Sequence, residues 1–278
     1  MLEVIIVPNM YIEKAAARTM LELKHILSRW YIILPKVLFV AYVAQVPFRN
    51  IAYYRHEQRE TLKDLGFEIF PEIAEDDKWI SELVFMVLHG IGSFVMIVPW
   101  LSSYPHSKGV MGAVMAERWL DCLCVGHVLR FLTYTSTSLP GPATHCRPGA
   151  IEPDLYRPTE LTTFFIRKSG GDDPNCGDLI FSGHMYQNII LSIVVTTYAT
   201  RLFVVRAIRN IFVTMMWMLT VAQVPLIIAS RNHYTVDLTV ATYLAPLAWI
   251  ALDRLHKPPS HVTDTTDGVD LVDESVVL

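Results

Sequence analysis

Charged residues are scarce in this sequence. Only 18% of its 278 residues are Asp, Glu, Lys or Arg, whereas 52% are hydrophobic, and the mean hydropathy is +0.35. A soluble domain of this length carries charge at about a quarter of its residues. The net charge of −4 argues against a nucleic-acid partner, and the sequence contains no long basic tract. The composition therefore predicts a protein of the lipid bilayer.

Two other sequence signals are absent. Residues 1–7 are too few and too poor in basic residues for a secretory signal, so we expect the first hydrophobic span to act as an uncleaved insertion signal. The H-E-x-x-H motif of zinc hydrolases does not occur, and we predict no metal site.

The hydrophobic residues are concentrated in runs of about 20 residues, the length that crosses a bilayer as a helix. We predict an all-α integral membrane protein with six transmembrane helices. The predicted spans are residues 30–48, 80–101, 118–139, 184–205, 211–230 and 236–252. By hydropathy alone the first and third spans are weaker, because Pro35 and Lys36 lie in the first and several charged residues lie in the third.

The segments outside the spans are polar or amphipathic. Residues 12–29 place apolar side chains on one helical stripe, which predicts an amphipathic helix at the membrane surface or, as an alternative, one packed against the bundle. The predicted organisation is an N-terminal amphipathic segment (1–29), a six-helix catalytic domain (30–252) and a disordered cytosolic tail (253–278), whose acidic composition cannot support a core.

The distribution of Lys and Arg predicts the orientation. Basic residues are frequent in the N-terminal segment, between spans four and five, and after span six. With six spans these regions share one side, which the positive-inside rule assigns to the cytosol. Basic residues also follow span one on the opposite side, although acidic residues are mixed with them. Spans four and six then begin, and span three ends, on the non-cytosolic face.

This topology brings two histidines to one membrane face. His184 opens span four, and His233 directly precedes span six. Asp237 lies one helical turn after His233, so its carboxylate can fix the tautomer of that imidazole and leave the other ring nitrogen nucleophilic. His184 is then a candidate acid and base, and the set suits phosphoryl transfer. The structural alternative is an interfacial His–Asp pair without chemistry.

Several motifs in this region resemble those of the sphingomyelin synthase family. The stretch CGDLIFSGH, residues 176–184, resembles the family motif C-G-D-x-x-x-S-G-H, and HYTVD, residues 233–237, matches H-Y-T-x-D. In a third motif Arg118, Arg130 and Thr137 keep the family spacing, but Glu117 and His127 replace an arginine and a tyrosine. The segments LKDLGF (62–67) and SLPGP (138–142) are similar to the plant-type inositol phosphorylceramide synthases.

The resemblance implies a function and roles for individual residues. It implies a six-span fold whose site faces the Golgi lumen and transfers a phospho-headgroup, above all phosphoinositol from phosphatidylinositol, to the primary hydroxyl of ceramide. His233 would be the nucleophile that forms a phosphohistidine, Asp237 its orienting carboxylate, and His184 the acid and base. No metal and no organic cofactor are implied. The implied partners are ceramide, a glycerophospholipid and the bilayer, and a homo-oligomer is left open.

Further polar residues near these motifs are candidates for substrate binding. The predicted substrate-binding residues are Arg130, Asp178, Ser182, Arg231 and Tyr234. Arg130, Arg231 and Arg147 carry charge that can offset a phosphate. The alternative for Arg130 is an arginine that snorkels to the interface, and the alternative for Asp178 is a cap at the start of span four.

The four cysteines fall into two pairs. Cys146 and Cys176 lie in the loop between spans three and four, so they are either disulfide-bonded in an oxidising lumen or two free thiols. Cys122 and Cys124 lie within span three, where we expect them only to pack.

Three other functions compete with the phosphoinositol transferase that the resemblance implies. A lipid phosphate phosphatase would use water as acceptor, but the Ser-Arg of that superfamily precedes its histidine by five residues, whereas only Asn232 separates Ser230-Arg231 from His233. A second rival uses phosphatidylcholine or phosphatidylethanolamine as the donor. The third is a lipid-binding or scaffolding bundle without catalysis.

Overall fold

A computed structural model describes residues 3–101, 111–149 and 176–256, together with residues 160, 162 and 165. Every regular element in these ranges is helical. The α-helices are α1 (Glu3–Ser28), α2 (Trp30–Leu38), α3 (Pro47–Arg55), α4 (Leu65–Ile69), α5 (Trp79–Leu101), α6 (Gly112–Ser136), α7 (Gly183–Leu202), α8 (Arg206–Ala229) and α9 (Thr235–His256). A π-helical turn covers Phe39–Val43, and 3₁₀ turns cover Glu75–Asp77 and Thr144–Cys146. Helix α9 continues four residues past the predicted end of span six, and residues 257–278 of the predicted tail lie outside the described residues.

Four helical segments among the described residues are long and apolar enough to cross a bilayer: Trp30–Arg55, Glu75–Trp100, Arg206–Ala229 and Thr235–Arg254. The expectation of a multi-pass, all-helical membrane protein is thereby confirmed. Helices α6 and α7 have 25 and 20 residues, but ionisable and amide side chains reduce their hydropathy. The count of six spans stays a prediction.

The first predicted span is an interrupted helix. Pro35 lies inside α2, and the helix then widens into the π turn, where the N–H of Ala44 donates to the carbonyl of Phe39 at 2.9 Å. Pro47 starts α3, a position where its missing N–H is of no consequence. The helical segment therefore ends at Arg55, well beyond the predicted boundary at residue 48.

Helix α7 lies at the centre of the bundle and packs against α5, α6, α8 and α9. Two glycines let neighbouring helices approach it closely. A Cβ at Gly92 of α5 would lie 2.5 Å from Leu191, and a Cβ at Gly126 of α6 would lie 2.3 Å from Tyr186. Small residues at such crossings allow close packing in a membrane, where lipid tails are as apolar as leucine. This packing fixes the start of α7, and with it the position of His184.

Helix α1 is joined to the start of α6 through a buried carboxylate. Glu22 is fully buried, and it accepts hydrogen bonds from the backbone N–H groups of Met111 (2.8 Å), Gly112 (3.0 Å) and Ala113 (2.8 Å). A helix start has free N–H groups and a partial positive charge, so a carboxylate there is favourable. Of the two alternatives from the sequence, α1 therefore contacts the bundle.

The apolar stripe of α1 does not make that contact. Met20 and Leu27, two members of the stripe, are more than half exposed, whereas the bundle contact uses Glu22 and Thr19, whose hydroxyl donates to the carbonyl of Trp100 at 2.9 Å. The exposed stripe is thus available to lipid.

The charges inside predicted span three are paired with residues of α1 and α2. Glu117 lies 2.8 Å from Arg29 and 3.5 Å from His25, and Lys36 forms ion pairs with both Glu117 and Asp121. These contacts account for the acidic residues in α6, because charges within a bundle are tolerated when they are paired.

We expect Glu22→Ala to destabilise the protein, since three N–H groups at the start of α6 lose their acceptor at a cost of about 1–3 kcal/mol per unsatisfied group. Thermal unfolding in detergent micelles measures the effect. The matched control is Glu13→Ala, which removes an exposed glutamate from the same helix. Equal unfolding temperatures for the two variants would show that the Glu22 contact is unimportant.

Candidate active site

The starts of α7 and α9 are held together by hydrogen bonds to one residue. The N–H of Ile180 donates to Oδ1 of Asp237 at 2.9 Å, and the N–H of Ser182 donates to the backbone carbonyl of Asp237 at 3.1 Å. The sequence motif of residues 176–184 is therefore bound directly to the motif of residues 233–237. The two predicted histidine segments meet at one end of the bundle.

Asp237 is fully buried and orients His233. Its Oδ2 accepts from Nδ1 of His233 at 3.0 Å and from the N–H of Tyr234 at 3.0 Å. Because a carboxylate accepts, Nδ1 of His233 carries the proton, and Nε2 presents a lone pair. The arrangement is that of an oriented nucleophile or base.

His184 lies in the first turn of α7 beside a carboxylate from α5. Its Nε2 is 3.4 Å from Oε2 of Glu82, and its ring meets Phe85 edge-on at 4.4 Å between centroids. The Glu82 carboxylate also interacts electrostatically with His233, so both imidazoles lie within the field of the same acidic group. About a third of the His184 side chain is exposed, which leaves it accessible to a substrate.

Sequence reasoning missed Glu82. The available signal was an acidic residue in the first turn of an otherwise apolar predicted span, a position where ionisable groups tend to be functional.

Arg130, which is partly buried, forms an ion pair with the buried Asp178. Nη2 of Arg130 donates to the Asp178 carboxylate and to its backbone carbonyl, both at 2.8 Å, and Nε donates to the carbonyl of Phe181 at 3.0 Å. The interpretation of Asp178 as a helix cap is wrong, because Ser182 caps α7 and its hydroxyl accepts from the N–H of Met185. Arg130 binds the loop before α7 and does not snorkel into solvent. A role of Arg130, Asp178 and Ser182 toward substrate stays a prediction.

Tyr234 points away from the histidines into a packed loop. Its hydroxyl donates to the carbonyl of Pro140 at 2.8 Å and accepts from the N–H of Leu62 at 3.1 Å, and its ring packs on Phe67. Burial raises the pKa of the Tyr234 phenol, which keeps it protonated as a donor. The predicted contact of Tyr234 with substrate stays untested. In this structure its hydroxyl and its ring contact other parts of the protein.

Arg231 adopts a left-handed backbone conformation, φ 57°, and lies over the ring of Phe67 at 4.1 Å. Burial lowers the pKa of its guanidinium, while Glu72, at 3.7 Å, acts in the opposite direction. Glu72 also accepts from Arg147 at 3.0 Å. Two of the predicted phosphate-binding arginines thus share one carboxylate.

The LKDLGF segment holds the start of α9. Asp64 caps α4 by accepting from Gly66 and Phe67, and its other oxygen accepts from the N–H of Thr235 at 2.9 Å. Gly66 approaches so closely that a Cβ there would lie 2.3 Å from the Thr235 hydroxyl. A segment noted in the sequence only for its resemblance is therefore a direct support of the His233–Asp237 motif.

Cys146 and Cys176 form a disulfide, with Cα atoms 5.4 Å apart. Of the two alternatives from the sequence, the bonded pair is the one present. The disulfide packs against Tyr53 and joins the start of the residue 176–184 motif to the loop after α6. Cys122 and Cys124 are free, and Cys122 is buried in the core, as expected.

Comparisons with known proteins agree on one family. Residues 175–255 match the model of the PAP2 superfamily C-terminal region. The phosphatidylinositol:ceramide inositolphosphotransferase of Oryza sativa subsp. indica is 32% identical over 263 residues, which cover 93% of this chain and 75% of that protein. Phosphatidylinositol:ceramide inositolphosphotransferase 3 of Arabidopsis thaliana is 33% identical, with 84% of this chain and 76% of that protein covered. Phosphatidylcholine:ceramide cholinephosphotransferase 2 of Mus musculus is 27% identical over 66% of this chain and 47% of that protein.

We expect the Arg130–Asp178 pair to stabilise the loop before α7. Removing one partner leaves an unpaired buried charge, so Arg130→Gln and Asp178→Asn should each destabilise the protein by about 3–5 kcal/mol. The double variant should cost clearly less than the sum of the two. Unfolding of the two single variants and the double variant in micelles measures this coupling.

Arg59→Gln is the matched control, because it breaks an exposed ion pair with Glu57, and such pairs contribute about 0–1 kcal/mol. Additive losses for Arg130→Gln and Asp178→Asn would mean that the pair does not stabilise the loop.

Proposed function

The chain belongs to the sphingomyelin synthase-like family, and from this membership we propose that it transfers phosphoinositol from phosphatidylinositol to the primary hydroxyl of ceramide, with release of diacylglycerol. The plant relatives, named as inositolphosphotransferases, support this headgroup. The observation that carries the proposal is the buried His233–Asp237 pair, bound through Ile180 and Ser182 to the start of the helix that bears His184.

The first half of the reaction forms a bond from Nε2 of His233 to the phosphorus of phosphatidylinositol. The bond from phosphorus to the diacylglycerol oxygen breaks, and protonated His184 gives its proton to that oxygen. Asp237 stabilises the positive charge on the imidazole of His233 through the Nδ1 hydrogen bond. The products are diacylglycerol and a phosphohistidine that carries inositol.

In the second half, neutral His184 takes the proton of the primary hydroxyl of ceramide. The hydroxyl oxygen attacks phosphorus, the bond from phosphorus to Nε2 breaks, and His233 returns to its starting form. Glu82 faces Nε2 of His184, so the other ring nitrogen, Nδ1, is left to exchange the proton. In this scheme Glu82 is a positioning residue for His184, and it stabilises the imidazolium.

The second candidate is sphingomyelin synthesis from phosphatidylcholine, or its ethanolamine counterpart. The murine relative, named as a cholinephosphotransferase, favours this alternative. It uses the same histidines and the same two half-reactions, and it differs only in the headgroup that is transferred.

The proposal includes a membrane arrangement. We propose six spans, with α1 at the cytosolic surface and the histidines facing the Golgi lumen. The positive-inside pattern supports this orientation, and so does the disulfide at the histidine end, since disulfides persist in oxidising compartments. Engineered N-glycosylation sites after residue 149 and at the C-terminus test it, because only a lumenal site should be modified.

We expect the purified protein, in micelles with fluorescent ceramide, to form a charged sphingolipid when phosphatidylinositol is the donor. Phosphatidylcholine and phosphatidylethanolamine are offered in parallel, and the product is identified by mass. Product from phosphatidylcholine alone would replace the main proposal by the second candidate. Diacylglycerol and a free phospho-headgroup without sphingolipid product would indicate a hydrolase.

We expect His233→Ala, Asp237→Asn and His184→Ala each to lower transfer by at least about 10²-fold, the lower end of what positioned acid–base groups contribute. The unfolding temperatures of the His184 and His233 variants should stay close to that of His25→Ala, a control at the opposite end of the bundle. Asp237→Asn should unfold at a lower temperature, because its amide replaces a carboxylate oxygen that accepts from buried N–H groups, but it should remain folded under assay conditions. Wild-type turnover in the His233 or Asp237 variant would remove the mechanism.

A donor with a nitrophenolate leaving group separates the roles of the two histidines, because this group leaves without a proton. His184→Ala should then release nitrophenol in a burst, whereas His233→Ala should release none. A burst from both variants would contradict the assignment of the nucleophile.

A further inference from the structure

A buried amide without partners lies one turn below His184. Asn188 of α7 is fully buried, and within the described residues neither its Oδ1 nor its Nδ2 has a hydrogen-bond partner. Nearly all buried polar groups in proteins are hydrogen-bonded, and each exception needs an explanation. In the apolar interior of a membrane protein an unpaired amide is more costly still.

The position of Asn188 in the fold is defined by the contact between α5 and α7. His184, Asn188 and Leu191 follow one another at spacings of four and three, so they share one face of α7. Glu82 of α5 faces His184 at one end of this contact, and Gly92 packs on Leu191 further in. Asn188 therefore lies between these two contacts, opposite the middle of α5 and deeper than the reacting groups.

The facing stretch of α5 carries a second unpaired group. Phe85 lies 4.4 Å from His184 and 4.0 Å from His89, measured between ring centroids, so the three rings form a row that leads inward. Nδ1 of His89 is 3.0 Å from the carbonyl of Phe85 and therefore donates to it. In the neutral ring Nε2 is then an acceptor, and it has no partner among the described residues.

We propose that Asn188 binds the amide of the acceptor lipid and that His89 accepts from its secondary hydroxyl. A secondary amide offers one N–H and one C=O, which match the unpaired Oδ1 and Nδ2 of Asn188. The glycerol backbone of the donor lipid offers ester carbonyls and no N–H. Asn188 is thus the residue that distinguishes ceramide from diacylglycerol as acceptor, and this assignment rests on the proposed function.

The geometry connects this binding to the reaction. In ceramide the primary hydroxyl and the amide nitrogen are on adjacent carbon atoms. One helical turn, about 5.4 Å, separates Asn188 from His184. An amide bound at Asn188 therefore directs the primary hydroxyl toward the imidazole of His184.

The test compares ceramide with N-methylceramide, which lacks the N–H donor. The wild-type protein should prefer ceramide by at least about tenfold in kcat/KM, the effect of one hydrogen bond near 1.4 kcal/mol. Asn188→Leu, of similar size, should raise the KM for ceramide and reduce the preference to near unity. The nitrophenyl burst from the donor, which needs no ceramide, is measured alongside, and the Ser192→Ala control should leave it unchanged.

The matched control is Ser192→Ala, one turn further along the same helix. Ser192 is equally buried, but its hydroxyl is paired with Thr220 at 2.9 Å, so the preference should persist. A parallel experiment tests the contact of His89 with the secondary hydroxyl. It compares ceramide with 3-deoxyceramide, which lacks that hydroxyl, in the His89→Phe variant. A preference for ceramide that is retained in Asn188→Leu, or absent in the wild-type protein, would overturn the proposal.

Thermal stabilisation by the two ceramides supplies a readout that needs no turnover. Ceramide should raise the unfolding temperature of the wild-type protein more than N-methylceramide does, and Asn188→Leu should lose this difference. If the wild-type protein forms no phosphorylated sphingolipid, the proposed function fails, whereas the stabilisation still decides whether Asn188 recognises the amide.

Discussion

The carboxylate of Asp237 is the group on which the candidate site depends. It has no contact with solvent, and it joins three parts of the chain: the His233 imidazole, the backbone of its own loop at Tyr234, and the backbone of Ile180. A buried carboxylate is costly unless its oxygens are satisfied by hydrogen bonds. Here three N–H groups satisfy it, so the geometry that stabilises the charge also orients the nucleophilic ring.

Around this carboxylate the protein uses loop segments as a rigid frame. Asp64 and Gly66 support Thr235, the Arg130–Asp178 pair supports the turn before α7, and the disulfide joins that turn to the loop after α6. These contacts hold the loops in place, and none of them requires its residues to act on the substrate. They limit the movement of His184 and His233, whose separation must match one phosphate group, and precise positioning is a large part of catalysis.

The sequence predicted the central pair because its geometry is local. His233 lies two residues before α9 begins, and Asp237 in the first turn of α9 reaches back to it, so a separation of four residues is enough for the contact although the pair does not share a helix. The family resemblance from the same motifs is confirmed by the plant relatives. Pro35 was noted only because it weakens the hydropathy of the first predicted span, and nothing in that pattern indicated a π turn or a helix that resumes as far as Arg55.

Local rules could not predict contacts between segments that are far apart in the sequence. Asn188 becomes notable only when α5 and α7 are placed face to face, and a hydropathy pattern gives no information on that pairing. Glu82 had a local signal, but its contact with His184 depends on the same pairing. The stripe of α1 is a similar case. Its apolar spacing left open whether the helix lies on the membrane surface or packs against the bundle, and a single glutamate with three N–H partners decided which side meets the bundle.

That glutamate has a consequence for biosynthesis. The amides that Glu22 contacts follow it by 89 to 91 positions, so its partners leave the ribosome long after the N-terminal helix does. Until then its charge is best solvated by water, so the nascent helix stays at a membrane surface while the two apolar segments Trp30–Arg55 and Glu75–Trp100 are made. Docking of α1 onto α6 therefore has to wait for the start of α6, and it can be complete before α7 and α9, which bear the reacting groups, leave the ribosome.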